Sequence, residues 1–347
     1  MYKDRIGVLV CTWFFVLSLF MGSALPACAA STEVTAGNET TTESAAENTA
    51  SDAVSQEKVQ KAKDVYNAFV KGERPAVFYT NAMDIRYFIP QDRFNDGREY
   101  TLKDVINIFQ TAADEVNQEH AQSSTETSTA RLTGVEYAIL EEGAFPILAL
   151  HISGEGYIST DSSELVCVLH YDQESDQLNV VYCADAWSRR HITVNKAGVI
   201  KNYGSNSASD YSFTYMTVGE DGNLLHLYSF SASSRLAEDN ENLEEWQKRT
   251  CLFGYYLDMD PFHTEEMYQR EAELFTLHQS NYIDNTFCME TEGQYDTDDP
   301  VYKLYTENGA QLVSNQAVAR AILNRAAKMS VPADAFFADP ADWAAVE

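Results

Sequence analysis

The chain has 347 residues, 45% of them hydrophobic and 12% aromatic, and 53 Asp and Glu against 24 Lys and Arg give a formal net charge of -29. That apolar fraction is enough for one sizeable core, or for a core with an appended subdomain. The charge argues against nucleic acid and anionic membrane surfaces as partners, because phosphate binding needs a clustered basic face and none is visible.

The N-terminus reads as an export signal. Lys3 and Arg5 form a basic head, Ile6 to Met21 is an apolar run, and small residues follow from Ala24 to Ala30. The run is too short for a stable spanning helix, and Ala27-Cys28-Ala29 supplies a cleavage pattern. Leu25-Pro26-Ala27-Cys28 also resembles the bacterial lipobox, in which Cys28 would carry the lipid, so both processing routes stand. Residues 1–29 are therefore read as a signal peptide. Residues 30–57, rich in Ser, Thr, Ala, Glu and Asn, read as a disordered tether that cannot bury enough apolar area to order itself.

The folded chain is expected from residue 58. Val59, Ala62, Val65, Tyr66, Phe69 and Val70 lie at helical spacing, which predicts a helix over Glu57 to Lys71 with Gly72 at its stop. A strand is expected from Ala76 to Tyr79, and Asn95-Asp96-Gly97 marks a turn. Thr101 and Asp104 form an N-cap for a second helix, whose apolar face carries Leu102, Val105, Ile106, Ile108, Phe109 and Val116. Strands are predicted at Val135 to Leu140 and Phe145 to Ile152, with Pro146 arguing for a late start or an edge. Glu164 to Tyr171 and Leu178 to Ala184 are apolar on both alternating faces, so they read as a hairpin inside a sheet. Tyr211, Phe213 and Tyr215 alternate with Ser212 and Thr214, and the chain returns through Leu224, His226, Tyr228 and Phe230.

After Phe230 the pattern reads as mainly helical. Ser234 to Gln247 is acidic and partly helical, Met267, Leu274, Phe275 and Leu277 lie at near-helical spacing, and Ser314 opens a last helix that ends before Pro332. The expected fold is α+β, with an antiparallel β-meander sheet flanked by N-terminal and C-terminal helices. The domains expected are a core over 58–232 and a mainly helical extension over 233–347 packed on it.

Four cysteines lie beyond the export segment: Cys167, Cys183, Cys251 and Cys288. Outside the cytoplasm they allow two disulfides in any of three pairings. Cys167 and Cys183 fall near facing positions of the hairpin, where small buried thiols are the preferred reading and a bond is conceivable. Cys251 and Cys288 carry no preference. No C-x-x-C occurs, which argues against zinc, and no other metal or cofactor motif is read.

Trp187-Ser188-Arg189-Arg190 is the most distinctive tetrapeptide. An exposed indole beside two guanidiniums can stack a sugar ring or clamp a carboxylate, which makes Trp187, Arg189 and Arg190 the candidate ligand-binding residues. The competing reading is a Trp that closes the end of the sheet, with both arginines paired to structural acids. Asp296-Thr297-Asp298-Asp299 with Glu307 invites an EF-hand, but Pro300 and Val301 occupy the fifth and sixth positions, where a ligand and a glycine are needed. Asp258 and Asp260 beside His263 resemble a metal or acid/base cluster, but the sequence names no third ligand, and an acidic turn leading a helix is the preferred reading. His151, His170 and His226 lie on strands, where satisfied histidines are ordinary. No G-x-S-x-G, H-E-x-x-H or Walker loop occurs.

Ser163 to Leu169, Val181-Tyr182-Cys183, Asp185 to Arg189, Gly198-Val199-Ile200 and Gly204-Ser205 together resemble a pattern of uncharacterised exported proteins of Gram-positive anaerobes. The resemblance spans about residues 58–230 and implies no assigned activity. Members often carry an Asp-rich, FG-GAP-type calcium turn before the first hairpin strand. The matching region here departs from it, since only Glu155 and Asp161 offer carboxylates there.

The reading is therefore a secreted or cell-surface-tethered, non-enzymatic domain that binds a peptide, a glycan or another envelope component. Its membrane link would be a lipid on Cys28 alone. The alternative is an extracellular hydrolase acting through paired carboxylates such as Asp185, Asp258 or Asp260.

Overall fold

A computed structural model describes residues 44–86, 88–123, 129–143, 145–158, 161–205, 210–245, 247–257, 259, 272–280, 287–289 and 298–346, with backbone alone at 44–55, 123, 158, 161–162, 210, 279–280 and 287–289. The segment read as an export signal, Cys28, Asp258, Asp260 and His263 lie outside these residues. Among the described helices none is long and apolar enough to cross a membrane.

Helix α1 (Ser44–Val70) buries Ala62, Val65, Tyr66 and Phe69, a run that shares one helical face. Gly72, at a φ of 72°, ends it in the left-handed conformation that a side chain resists. Short strands β1 (Ala76–Phe78), β2 (Met83–Asp84) and β3 (Arg98–Tyr100) lead into α2 (Leu102–Ser123). The α2 cap is reciprocal, with the Asp104 amide donating to Thr101 Oγ1 at 3.2 Å and the Thr101 amide donating to Asp104 Oδ2 at 2.9 Å.

Four long antiparallel strands follow: β4 (Arg131–Leu140), β5 (Ile147–Ile158), β6 (Asp161–Asp172) and β7 (Gln177–Ala186). With β1, β2, β3 and a C-terminal β15 (Ala344–Ala345) they form one sheet, ordered β15-β4-β5-β6-β7-β1-β3, with β2 also on β7. β1 and β2 each pair with β7 in parallel. The remaining strands are β8 (Arg190–Val194), β9 (Ile200–Ser205), β10 (Asp210–Val218), β11 (Leu224–Ser233), β12 (Thr250–Tyr256), β13 (Leu274–Ser280) and β14 (Phe287–Met289). They make a second sheet in strict sequence order.

Alternation decides the layers. In β5, Leu148, Leu150 and Ile152 join Leu165, Cys167 and Leu169 in a cluster with Tyr66 and Phe69 of α1 and Val105 and Phe109 of α2. Ile147 and Ala149 point the other way, and with Val166, Val168 and Ala184 they meet Ile192, Val194, Ile200 and Met216 of the second sheet. A sheet apolar on both faces is thus covered by helices on one side and by a sheet on the other. The outer face of the second sheet carries a row of rings. His191, Tyr203, Phe213, Phe230, Phe253 and His278 stack in turn across six strands at centroid separations of 5.0, 5.5, 4.4, 5.8 and 4.0 Å. Helix α5 (Asn315–Lys328), which follows the short helices α3 (Arg235–Glu238) and α4 (Pro300–Glu307), packs on this face through Val318 and Ile322.

The α+β class holds, while several finer expectations change. The run from Val135 to Phe230 divides between two sheets rather than forming one meander, because period-two alternation places side chains on faces without saying which sheet owns the strand. The segment over 233–347 is not mainly helical: β12 and β13 continue the second sheet, and β11 pairs with β12 across the proposed 232/233 boundary. Leu274, Phe275 and Leu277 therefore lie on a strand. Helix α1 starts at Ser44, so the end of the stretch read as a tether is helical. Pro146 does precede the start of β5, but β5 is internal, and the Pro146 carbonyl accepts from Tyr66 Oη at 2.6 Å.

Cys167 and Cys183 face each other across β6 and β7 with Cα atoms 4.0 Å apart and are joined as a disulfide, where free thiols were preferred. Cys251 is free, and burial pushes its thiol up to about 11.

Candidate functional site

The tetrapeptide Trp187-Ser188-Arg189-Arg190 is the joint between the two sheets. The Trp187 amide donates to the Arg190 carbonyl at 2.8 Å and the Arg190 amide to the Trp187 carbonyl at 2.9 Å, closing a tight turn. A second anchor comes from β9, whose Ser205 amide donates to the Arg189 carbonyl at 3.0 Å. Gly204 makes this approach possible, since a Cβ there would lie 2.9 Å from the Arg189 carbonyl oxygen.

The two arginines do different work. Arg190 is the first residue of β8 and shares its inward parity with Ile192 and Val194. Its guanidinium reaches across the joint to the first sheet, with Nη2 2.6 Å from Asp84 Oδ2, and Nη1 3.3 Å from the Asp84 carbonyl and 3.4 Å from Asp185 Oδ1. Its Nε donates to Asn202 Oδ1 at 3.2 Å, and Asn202 Nδ2 approaches Tyr182 Oη at 3.4 Å. Asp185 is fully buried, and its Oδ2 accepts the backbone amides of Arg86 at 2.8 Å and Phe88 at 2.9 Å. Burial works to raise the Asp84 carboxyl, but Arg190 and Arg86 outweigh it and hold the group below its usual range. Burial also drives the Tyr182 phenol well up, so it stays neutral.

Asp84, Asp185, Arg190 and Arg86, whose Nε donates to Asp84 Oδ1 at 2.7 Å, thus form a charged set that latches β8 and β9 to β2 and β7. This removes Asp185 from the residues offered for hydrolysis, because both its oxygens hold structure. It equally shows that Arg190 is bound to structural acids rather than offered to a ligand. Arg189 is the opposite case. It is exposed on the turn, and among the described residues no acid or acceptor takes its guanidinium. Trp187 is half-buried beside it. No match is found for the chain among protein-family models, characterised proteins or solved structures.

The strand histidines have partners. His226 Nε2 lies 2.8 Å from Ser229 Oγ, a separation that suits a nucleophile and its base, yet the bonding runs the wrong way. The Met259 amide points at His226 Nδ1 at 3.3 Å, and an amide can only donate. The ring proton therefore sits on Nε2 and is given to Ser229, whose hydroxyl passes its own to Thr214 Oγ1 at 2.9 Å. His170 is buried beside Phe145 with ring centroids 5.3 Å apart, and desolvation lowers its pKa. His151 lies between Glu136 and Glu164.

At the acidic run, Asp299 is the N-cap of α4 (Pro300–Glu307), with Oδ1 accepting the Val301 amide at 2.7 Å. Among the described residues no group of three His, Cys, Asp or Glu side chains is arranged to hold a metal ion. A shallow depression of about 300 Å³ is lined by Arg93, Asn95, Arg98, Tyr100, Asp104 and Asn107, far along the chain from the turn. Of its charges, Arg93 is held by Glu115, Asp104 by Thr101, and Arg98 lies over the Tyr100 ring; Glu99 also lines it. Sequence reasoning missed Asp84 and Asn202, the residues that immobilise Arg190. Neither sits in a motif, and only the register of distant strands brings them together.

Proposed function

We propose that the chain is an exported, non-enzymatic binding module that recognises an acidic group on a peptide or glycan of the cell envelope through the turn bearing Trp187 and Arg189. The observation that carries this reading is an exposed guanidinium that no described residue takes, on a turn closed by two backbone bonds of its own and anchored by a third from β9, in a chain whose formal net charge is -29. A preorganised cation loses little freedom on binding, so more of its interaction with a carboxylate or phosphate appears as affinity. The half-buried indole next to it adds an apolar surface against which a ring can lie.

Export through the N-terminal segment, whether or not Cys28 keeps a lipid, would put the turn where such polymers are found. Co-sedimentation of the full chain with a whole insoluble envelope fraction tests the reading. Wild type is expected to sediment, and Arg189→Ala and Trp187→Ala to lose about tenfold in affinity each, the effect of a charged or aromatic anchor worth roughly 1.4 kcal/mol. No retention of wild type, or retention unchanged in Arg189→Ala, refutes it.

A further inference from the structure

The C-terminal residues 339–346 lace the two sheets together along one open side. At the β8 end of the second sheet, Pro340 bridges Asn195, the Lys196 amide donates to the Asp339 carbonyl at 2.8 Å, and the Ala341 amide donates to the Val194 carbonyl at 3.0 Å. Three residues on, Ala344 and Ala345 pair with Tyr137 and Glu136 of β4, the outermost long strand of the first sheet. The Val346 amide adds a bond to the Val135 carbonyl at 2.9 Å. Between these attachments Ala341 and Trp343 enter the apolar cluster that separates the sheets. The strap thus covers the margin of that cluster and part of the β4 edge, a row of backbone groups that would otherwise be unpaired.

Beneath Trp343 lies a three-strand cluster of ionisable groups. His151 stands directly opposite Glu136, with Nδ1 3.1 Å from Glu136 Oε2, while Nε2 is 3.5 Å from Glu164 Oε2 on β6. The Trp343 and His151 ring centroids are 5.4 Å apart at 48°. A neutral imidazole has one N–H and would meet one of the two carboxylates with a lone pair, whereas imidazolium donates to both. The cation also lies within reach of the indole. The other charged or titratable neighbours are His191 on β8 and Tyr203 on β9, each coupled to Glu164, and Lys196 in the β8–β9 turn, which pairs with Asp342 of the strap at 2.9 Å and also feels Asp339 and Glu142.

We propose that residues 339–346 form a proton-operated clasp, closed when the His151 imidazolium bridges Glu136 and Glu164 under Trp343 and loosened when that proton leaves. Deprotonation leaves two carboxylates about a neutral ring, one of them, Glu136, on the β4 pair that receives Ala345. The strap then loses its cation–indole contact, and its pairing with β4 weakens. Opening exposes the β4 edge and the margin of the inter-sheet core. The direction agrees with the titration of the cluster: burial works to lower His151, but its bonds to Glu164 and Glu136 outweigh that and raise it.

Amide hydrogen exchange on the full chain, expressed as protection factors, reads the clasp. Protection of the Val346 amide is expected to fall about fivefold between about pH 5.5 and about pH 8, the factor that corresponds to losing a partly exposed ion pair of about 1 kcal/mol. The β5 and β6 amides should hold theirs. His151→Gln should abolish the pH dependence, and a dependence that persists in this variant overturns the proposal, as does equal protection at both values in wild type. Trp343→Leu keeps His151 and supplies the second arm. The His151 pKa followed by NMR should fall in it, and an unchanged pKa sinks the coupling between the ring and the strap.

Discussion

Replacing Arg190 by Leu tests whether the joint between the sheets is held by charge. The substitution keeps an apolar stem against Ile192 and removes the guanidinium from Asp84, Asp185 and Asn202. Removing one partner of a buried pair costs about 3–5 kcal/mol when the survivor is left unpaired. Neither acid is wholly abandoned here. Asp185, whose side chain is 1% exposed, keeps the Arg86 and Phe88 amides, and Asp84, 19% exposed, keeps Arg86 Nε at 2.7 Å. The expected loss is therefore lower, about 2–3 kcal/mol. Urea denaturation of the full chain should show it as a lower midpoint with an unchanged slope. Arg190→Lys should recover only part of the loss, because an ammonium cannot fork between two acids and an amide. Arg189→Leu should change stability by less than about 0.5 kcal/mol, as exposed substitutions do. If Arg190→Leu also falls within that range, the latch contributes nothing and the assignment of separate roles to the two arginines is wrong.

Three other outcomes follow from particular contacts. Gly204→Ala places a Cβ 2.9 Å from the Arg189 carbonyl oxygen, a backbone atom that cannot swing away, so a loss of about 1–3 kcal/mol and weaker envelope binding are expected together, measured by thermal melting and co-sedimentation. Tyr66→Phe strands the Pro146 carbonyl and the Tyr171 amide, which the buried hydroxyl now bonds at 2.6 and 3.2 Å, and should cost about 1–3 kcal/mol in the same denaturation assay. For the His151–Glu164 pair the signs oppose. The raised imidazole contributes stability fully present below about pH 6.5 and lost as pH rises through its folded pKa. The lowered Glu164, held down chiefly by its bond to His151, contributes above about pH 4.3 and loses it as pH falls through its own folded pKa. Subtracting the urea stabilities of His151→Gln from those of wild type should give a plateau between these limits, and a difference that rises toward pH 9 contradicts the geometry.

Much of the local structure was legible because it depends on near neighbours. The Thr101/Asp104 box, the Ser314 cap whose Oγ accepts the Ala317 amide at 3.0 Å, and the Asn95-Asp96-Gly97 turn with Gly97 at a φ of 68° are all contained within a few residues. The hairpin of β6 and β7 was legible for the same reason. What lay beyond reach was long-range. β12 carries Phe253, Gly254, Tyr255 and Tyr256 without alternation of polar and apolar residues, since it is an inner strand of the second sheet, and nothing in its composition assigns it there. Asp84 and Arg190 meet only because β2 lies parallel to β7, a pairing that turns on two residue pairs.

The two arginines are the instructive case, because a local rule separates them. Adjacent in sequence and alike in chemistry, they read as one clamp when the tetrapeptide is considered alone. The following residues alternate: His191 and Thr193 are exposed, while Ile192 and Val194 are buried. Extending that period-two pattern back by one step gives residue 190 the parity of the core and leaves residue 189 outside it. A guanidinium that enters a core must bring acids with it, or the cost of desolvation expels it. Parity therefore predicts both that Arg190 is paired and that its partners are buried carboxylates, and Asp185 on the preceding strand is the nearest candidate in the chain. Arg189, on the exposed side of that parity, keeps its charge in water and needs no buried acid from the fold.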